Sequence, residues 1–237
     1  MKHGDTRLFN DGERVKPKLL DLFCGAGGAS MGYYRAGFEV EGVDVKPQPH
    51  YPFKFYQADA LTFPLEGYDA YHASPPCQFG SVMRRGRWKD RQHANLIPGT
   101  RERLKATGKP YVIENVEGSR RHLITPVKLC GTMFGLGTSE GNQLWRHRYF
   151  ECGSFWLLAP PCNHNKASAI GVYGGGQHPD RRVRRRKAEL AEVDFGIKAR
   201  REAMGINWMV WHELNEAIPP AYTEYIGKYL MQAVKII

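Results

Sequence analysis

The stretch Lys18-Leu19-Leu20-Asp21-Leu22-Phe23-Cys24-Gly25-Ala26-Gly27-Gly28 joins a short apolar run to a turn rich in glycine. The apolar run is typical of a buried β-strand. After the turn, residues 29–36 can form a helix that closes at Gly37. A strand, a glycine-rich turn and a helix in this order let a ligand approach the backbone beside a helix N-terminus. This stretch therefore predicts a fold with a nucleotide-type ligand site at a strand end.

Further strands and helices are predicted outward from this stretch. In residues 38–44, apolar and polar side chains alternate up to Asp44, which predicts a second strand. Residues 95–107 fit a helix that crosses over between two strands. From Ile218 to Ala233, apolar residues recur at helical spacing. Pro219 and Pro220 lie at the start of this stretch, where a missing N–H group costs little. Strands that alternate with helices predict an α/β, Rossmann-like fold with a mostly parallel sheet. The other predicted strands are residues 53–57, 68–73, 111–115, 127–130 and 148–151.

The composition of the 237 residues is that of an ordinary globular protein, which argues against a disordered or fibrous class. No stretch is long enough to span a membrane, and the first five residues lack the apolar core of a signal peptide. We therefore expect a cytoplasmic protein, in the host cytoplasm if a phage encodes it. The net charge of +10 favours a nucleic-acid partner, although it is also compatible with a role in solubility alone.

The five cysteines are an odd number and lie far apart in the chain, which argues for reduced thiols. Cys152, Cys162 and His164 raise the question of zinc. A structural zinc site needs four ligands, and this stretch offers three. We therefore predict no metal and interpret these cysteines as packing residues. The same interpretation applies to Cys24.

Two carboxylates follow predicted strands and could contact a nucleotide-like cofactor. Asp44 is placed to accept hydrogen bonds from ribose hydroxyls, and Asp59 could meet an adenine edge. The glycines at positions 25, 27 and 28 do not have the Gly-x-Gly-x-x-Gly spacing of dinucleotide sites. On these residues alone, a tight structural turn remains the alternative.

The loop Ser74-Pro75-Pro76-Cys77-Gln78 follows a predicted strand, so the Cys77 thiol should face the same crevice. Two prolines stiffen the loop and fix the direction of the sulfur. An inert buried thiol and a catalytic nucleophile are equally good interpretations of this cysteine taken alone.

Charged side chains mark two more predicted strands. Glu114 and Asn115 end an apolar strand, where a carboxylate can stay protonated or share a proton with a bound base. A structural hydrogen bond is the alternative. Arg146 and Arg148 alternate on one predicted strand face and could hold an anion, unless that face is simply solvated. His147, on the opposite face, is predicted to be structural.

These stretches, in this order, resemble the motifs of the DNA (cytosine-5) methyltransferase family, especially its compact phage and prokaryotic type. The resemblance covers residues 18–151 and 205–237. This sequence departs from the family's motifs at two points. It has one extra residue between Gln143 and the first arginine, and it has Glu216 where the family usually has asparagine. The matching stretches are Asp21–Gly28, Ser74–Gln78, Glu114–Val116, Gln143–Arg148 and Leu214–Pro220.

The resemblance implies an S-adenosylmethionine-dependent methyltransferase fold and methyl transfer to carbon 5 of a cytosine that is flipped out of double-stranded DNA. Cys77 would add to carbon 6 of the base. Glu114 would bind N3 and the exocyclic amine, while Arg148 and Arg146 would orient the base. The implied cofactor-binding residues are Phe23, Gly25, Ala26, Gly27, Gly28, Asp44, Asp59 and Pro76.

The resemblance also implies a division of the chain. Residues 1–17 would form a flexible arm, residues 18–151 and 205–237 a catalytic domain, and residues 152–204 a small irregular target-recognition insertion. A basic run in the insertion would contact phosphates, unless it is a solvated charge run. We expect a monomer. The implied DNA-binding residues are Gln78, Ser81, Arg181, Arg182, Arg184, Arg185, Arg186 and Lys187.

Three rival functions compete with this interpretation. The closest is the same chemistry on tRNA, since one branch of the family methylates RNA cytosine. A catalytically silent DNA-binding module is the second, and the presence of Cys77, Glu114 and Arg148 argues against it. A nicotinamide-dependent oxidoreductase is the third, and the glycine spacing is wrong for it.

Overall fold

A computed structural model of the chain describes residues 16–76, 95–165, 168–173 and 196–236. Most of the predicted N-terminal arm therefore lies outside the described residues. Of the predicted target-recognition insertion, residues 152–165, 168–173 and 196–204 are described.

Seven of the nine described strands form one sheet in the order β3-β2-β1-β4-β5-β8-β6. Strand β8 runs antiparallel to both of its neighbours, and the other pairs are parallel. The two remaining strands, β7 and β9, pair with each other in a small parallel ribbon. The strands are β1 (Lys18–Leu22), β2 (Glu39–Asp44), β3 (Lys54–Gln57), β4 (Ala70–Ala73), β5 (Tyr111–Asn115), β6 (Val127–Leu129), β7 (Gln143–Leu144), β8 (Arg148–Gly153) and β9 (Ala169–Ile170).

Helices cover both faces of the sheet, so its central strands are apolar on both sides. In β1, Leu19 packs with helices α1 and α5, whereas Leu20 packs on the opposite face with α2. In β5, Val112 and Ile113 divide in the same way. The predicted mostly parallel α/β sheet is therefore confirmed. The described helices are α1 (Gly28–Arg35), α2 (Ile97–Ala106), α3 (Ile197–Met204), α4 (Trp211–Glu216) and α5 (Pro220–Ile236).

The first and last helices of the domain pack with their backbones in close approach. A Cβ atom on Gly32 of α1 would collide with Thr223 Oγ1 and with the carbonyl oxygen of Pro220 in α5. Thr223 also donates a hydrogen bond of 2.8 Å to the carbonyl of Ala29. This contact holds the C-terminal end of the chain against the helix that follows the glycine-rich turn.

Two 3₁₀ turns flank the edge strand β6 in the sequence. One spans Glu117–His122 and the other spans Gly131–Phe134. Within the parts of the chain that are described, no helix has both the length and the apolar character needed to cross a membrane.

Candidate active site

The carboxyl ends of β1 and β4 mark the point where the strand order of the sheet reverses. From β1 the chain moves outward to β2 and β3, whereas the next strand, β4, lies on the other side of β1. In open α/β sheets, ligands bind in the crevice outside such a switch point. The glycine-rich turn follows β1, and the loop that begins at Ser74 follows β4. The fold therefore brings the glycine-rich turn and the described part of the second motif, residues 74–76, to one crevice.

The glycine-rich turn reverses direction through residues with positive φ. Phe23 has a φ of 58° and Gly25 a φ of 49°. A Cβ atom on Gly25 would meet no described atom within 4 Å, so the backbone borders open space at this point. The N–H of Gly25 donates to Asp44 Oδ2 at 3.1 Å. The turn thus presents backbone and a carboxylate to a space that a ligand can enter.

Asp44 and Asp59 both lie at the carboxyl ends of strands, as predicted. Asp44 also accepts a hydrogen bond of 3.0 Å from the N–H of Lys46, which fixes its side chain. Asp59 is exposed and accepts from the N–H of Leu61 at 2.9 Å. Both carboxylates are held by backbone donors and retain acceptor capacity for a ligand's hydroxyl or amino groups.

A buried network beneath the turn was not predicted from the sequence. Asp21 is fully buried, and Ser30 Oγ donates to its Oδ2. The hydroxyl of Tyr51 lies 2.8 Å from the same Ser30 oxygen. Burial, with a contribution from the charge of Asp44, raises the pKa of Asp21 to about 7. The only sequence signal was an acidic residue inside an otherwise apolar strand.

The C-terminal segment that begins at Trp208 packs against the glycine-rich turn. Trp208 Nε1 donates to the carbonyl of Ala26 at 2.9 Å, which ties the C-terminal segment to the turn. Asn215 is buried, whereas Glu216, the position that departs from the family's motif, is exposed.

On the other side of the crevice, Glu114 and Arg148 form a buried ion pair. Glu114 is 5% exposed, and its Oε1 lies 3.2 Å from Arg148 Nε. Burial raises the pKa of Glu114, and the positive charges of Arg148 and Arg146 oppose that rise. Oε1 accepts no well-aligned hydrogen bond from any described residue. A buried acceptor of this kind gains strongly from a ligand that donates to it.

A chain of hydrogen bonds orients the Glu114 carboxylate from behind. Ser74 hydrogen-bonds to Glu114, and Ser74 Oγ lies 2.9 Å from His72 Nε2. His72 Nδ1 in turn lies 2.9 Å from the hydroxyl of Tyr33. Burial lowers the pKa of His72 to about 3, so the imidazole is neutral. All partners are satisfied if Tyr33 donates to His72, His72 to Ser74 and Ser74 to Glu114.

Asn115 connects the Glu-Asn-Val stretch to the cysteine loop. Its Nδ2 donates to the carbonyl of Pro75 at 2.9 Å, and its Oδ1 accepts from the N–H of Val116 at 3.0 Å. Pro75 is buried and Pro76 is exposed. The backbone two residues before Cys77 is therefore fixed beside Glu114. Several predicted site residues lie outside the described residues, namely Cys77, Gln78, Ser81, Arg181, Arg182, Arg184, Arg185, Arg186 and Lys187.

The expectation that Arg146 and Arg148 share one strand face is wrong. β7 ends at Leu144 and β8 begins at Arg148, so Arg146 lies in the connection between them. Its buried guanidinium donates to the carbonyls of Asn215 and Ala217, each at 2.8 Å, and to that of Val172. Arg148 alone forms the described ion pair with Glu114. The structure thus gives Arg146 a bracing position between β8 and the C-terminal motif.

The count of three metal ligands, on which the prediction of no metal rested, was wrong. Cys162 and His164 lie together with Cys130 and His147, while Cys152 is not part of this group. Cys130 and His147 are distant in sequence from the other two, so spacing alone gave no signal for them.

Solved structures that share this fold are methyltransferases. One, from Escherichia coli, is described only as a putative DNA modification methyltransferase encoded within a prophage; it has a TM-score of 0.61 and 14% identity, over 93% of this chain and 100% of that chain. A second is the Dnmt2 methyltransferase of Schizosaccharomyces pombe, with a TM-score of 0.54 and 13% identity, over 92% of this chain and 99% of that chain. A third is the Entamoeba histolytica methyltransferase EhMeth, with a TM-score of 0.53 and 11% identity, over 92% of this chain and 99% of that chain.

The chain has the Rossmann-like fold of S-adenosylmethionine-dependent methyltransferases, as predicted. No family model matches its sequence, and no curated protein does so either.

Proposed function

We propose that this chain transfers a methyl group from S-adenosylmethionine to carbon 5 of a flipped-out cytosine in double-stranded DNA. The observation that carries the proposal is the buried pair of Glu114 and Arg148 beside the fixed backbone of Pro75. A cytosine ring placed there would meet a carboxyl group at its Watson–Crick edge, next to the loop that bears Cys77. The ring faces are inaccessible inside a duplex, so the base must leave the stack.

Cys77 is the proposed nucleophile because carbon 5 of cytosine does not accept a methyl group directly. Its thiolate forms a bond to carbon 6, and the electrons of the C5–C6 double bond move towards carbon 5 and N3. After carbon 5 has gained the methyl group, it loses its proton to water. The double bond forms again, the thiolate leaves and N3 returns its proton to Glu114, while S-adenosylhomocysteine remains as the other product.

Glu114 supplies the proton that makes this addition possible. Burial raises its pKa, so the carboxylate of the ion pair can take up a proton and donate it to N3 while its other oxygen accepts from the exocyclic amine. Arg148 holds the carboxyl group in place and offsets negative charge as it develops. The chain of His72 and Ser74 fixes the rotation of the carboxyl plane.

The cofactor side of the crevice fits S-adenosylmethionine, which supplies the methyl group as a sulfonium. Open space borders the backbone at Gly25, and the Asp44 carboxylate beside it can accept from ribose hydroxyls. We assign Asp59 to the adenine edge and Phe23, Ala26, Gly27, Gly28 and Pro76 to the walls of the same site.

One observation favours a nucleic acid as the substrate, and a second favours DNA. The net charge of +10 suits a phosphate backbone, and one structure of the same fold is described as a DNA modification enzyme. The basic residues from Arg181 to Lys187, together with Gln78 and Ser81, are the proposed contacts to DNA.

Incubation with tritium-labelled S-adenosylmethionine and either unmethylated duplex DNA or bulk tRNA tests the proposal. We expect label in DNA, recovered as 5-methyl-2′-deoxycytidine after digestion, and no transfer by Cys77→Ser. Cys152→Ser is the matched control, because Cys152 lies in β8 four positions beyond Arg148 and should leave transfer intact.

A duplex that contains 5-fluorocytosine tests the covalent step. The fluorine blocks loss of the carbon-5 substituent, so the Cys77 adduct should persist and be mapped by peptide mass spectrometry. Label in tRNA alone would replace DNA by RNA as the substrate. Undiminished transfer by Cys77→Ser would overturn the mechanism.

A further inference from the structure

Four side chains with metal-binding atoms converge at one edge of the sheet, outside the proposed active site. Cys130 follows β6, and His147 immediately precedes β8. Cys162 and His164 come from the segment that follows β8. One ligand atom from each of the four lies within 4.8 Å of every other. Two thiols and two imidazoles from three separate segments are therefore gathered in one place.

The distances within this group suit tetrahedral coordination. Cys130 Sγ lies 3.2 Å from His164 Nε2, and Cys162 Sγ lies 3.7 Å from His147 Nε2. With metal–sulfur bonds of about 2.3 Å and metal–nitrogen bonds of about 2.05 Å, ideal tetrahedral angles separate sulfur from nitrogen by about 3.5 Å. The two observed distances lie on either side of that value, and the other pairs of ligand atoms lie within 4.8 Å of each other.

Neighbouring groups hold the ligands in place. The hydroxyl of Thr132 donates to Cys130 Sγ at 3.4 Å and accepts from the N–H of Asn163 at 3.2 Å. The ring of Trp145 stacks on His164, with centroids 4.5 Å apart and planes inclined by 11°. Partners of this kind orient ligands in metal sites and are typical of them.

Gln143 adds a second clamp on the segment that carries Cys162 and His164. Its Oε1 accepts from the N–H of Asn165 at 3.2 Å, and its Nε2 donates to the carbonyl of Asn163 at 3.1 Å. The segment is therefore already aligned with the strand edge on both sides of His164.

We propose that Cys130, His147, Cys162 and His164 form a structural zinc site. A set of two cysteines and two histidines is a standard closed site for Zn²⁺, whereas Mg²⁺ and Ca²⁺ prefer oxygen ligands. Both thiols bind as thiolates, so each releases its proton to solvent and the two negative charges balance the charge of the cation. The four protein ligands fill the coordination shell, which leaves no open position for catalysis.

The zinc site stabilises the active site through the backbone of β8. The carbonyl of His147 accepts a hydrogen bond of 2.8 Å from Arg148 Nη1, and Arg148 pairs with Glu114. A ligand bond to His147 therefore restrains the residue that sets the position of Arg148. It also anchors the start of the predicted target-recognition insertion to the sheet.

Metal analysis of the full chain tests this site. The protein is purified without a histidine tag and without chelator, and its metals are measured by mass spectrometry. We expect about one zinc per chain, in line with a single closed site. His164→Ala is the sharpest variant because this histidine is exposed and its loss creates no cavity. The variant should retain less than about a tenth of the zinc.

Cys152→Ser is the matched control, since it removes a nearby thiol that is outside the group. It should keep the full zinc content. Cobalt substitution gives a second readout, because Co²⁺ in a site with two thiolates shows intense visible bands and a sulfur-to-metal charge-transfer band. These bands should appear in the wild-type protein and in Cys152→Ser but not in Cys162→Ser.

Thermal unfolding measures how much the bound metal stabilises the protein. A strong chelator should lower the melting temperature of the wild-type protein and leave that of His164→Ala unchanged. Folded wild-type protein that contains no metal, even after incubation with zinc salts, would overturn the proposal. So would a disulfide between Cys130 and Cys162 in freshly purified protein, or equal zinc contents in His164→Ala and the wild type.

Discussion

The two sides of the crevice are built in different ways. On the cofactor side, backbone groups shape the site. The turn at Gly25 borders open space, and backbone N–H groups hold Asp44. On the other side, where Glu114 lies, charged side chains shape the site. The Glu114–Arg148 pair is buried at the end of β5. A site made by backbone tolerates side-chain changes, whereas a buried charge pair depends on single atoms.

Glu114→Gln should have the largest effect, because it removes the acidic proton and keeps the shape of the side chain. We expect kcat for methyl transfer to fall by about a thousandfold, within the range for loss of a general acid. Steady-state transfer of labelled methyl groups measures it. Glu140→Gln, at an exposed position, is the control and should match the wild type. A loss of less than tenfold would remove Glu114 from the chemistry.

Lysine substitutions at the two arginines should separate their roles. Arg148→Lys should lower kcat by about a hundredfold with little change in stability, because lysine cannot reproduce the planar contact with Glu114. Arg146→Lys should instead lower the free energy of unfolding by about 2–4 kcal/mol, because buried carbonyls lose their donors.

Urea unfolding and kcat per folded molecule, measured on both variants, distinguish these outcomes. If Arg146→Lys lost activity while remaining fully stable, Arg146 would contact the base, as the family's motif implies.

Asp44→Asn should have a smaller effect, which falls on the cofactor side alone. The amide keeps one acceptor but loses the charge, so KM for S-adenosylmethionine should rise about tenfold while kcat stays within a few fold of the wild type. Initial rates at varied cofactor concentration measure the split. A large fall in kcat with an unchanged KM would contradict the division of the crevice into two sides.

Asp21→Asn should change stability, with a sign that depends on pH. The folded pKa of Asp21 is about 7, above its usual 3.8, so the folded state binds the extra proton between these values. The stabilisation is complete below pH 3.8 and is lost as the pH rises through 7. The asparagine variant does not titrate, so its stability relative to the wild type should increase with pH, by up to about 4 kcal/mol.

Unfolding of both proteins in urea at pH 5 and pH 8 gives this difference. His72 titrates in the opposite sense but is present in both proteins, so its contribution cancels. A difference that does not change with pH would show that Asp21 is ionised in the folded protein throughout this range.

Local patterns in the sequence predicted the sheet well, because each strand is a short apolar run and each turn is marked by glycine or proline. Strands β1 and β5 begin as predicted, and α1 ends one residue before the predicted end. The small ribbon of β7 and β9 was missed, since two-residue strands carry no periodicity.

The side chains of the site were harder to predict where they depend on distant partners. Glu114 and Asp44 were singled out because each lies at or next to the end of a strand in the pattern. The support from His72, Ser74 and Tyr33 was missed because these residues come from a strand, the loop after it and a distant helix, and no local pattern links them. Arg146 was misplaced because its partners, Asn215 and Ala217, are about seventy residues away.

The contact between the glycine-rich turn and the C-terminal segment also orders events during synthesis. Trp208 joins Ala26 across 182 residues, and Thr223 joins Ala29 across 194. A ribosome that adds about 5–20 residues per second needs roughly ten seconds or more to pass from one partner to the other. Until Trp208 and Thr223 have been added, the glycine-rich turn lacks these two hydrogen-bond partners. The cofactor side of the crevice is therefore completed only after the segment that forms α5 has been made and has packed against α1.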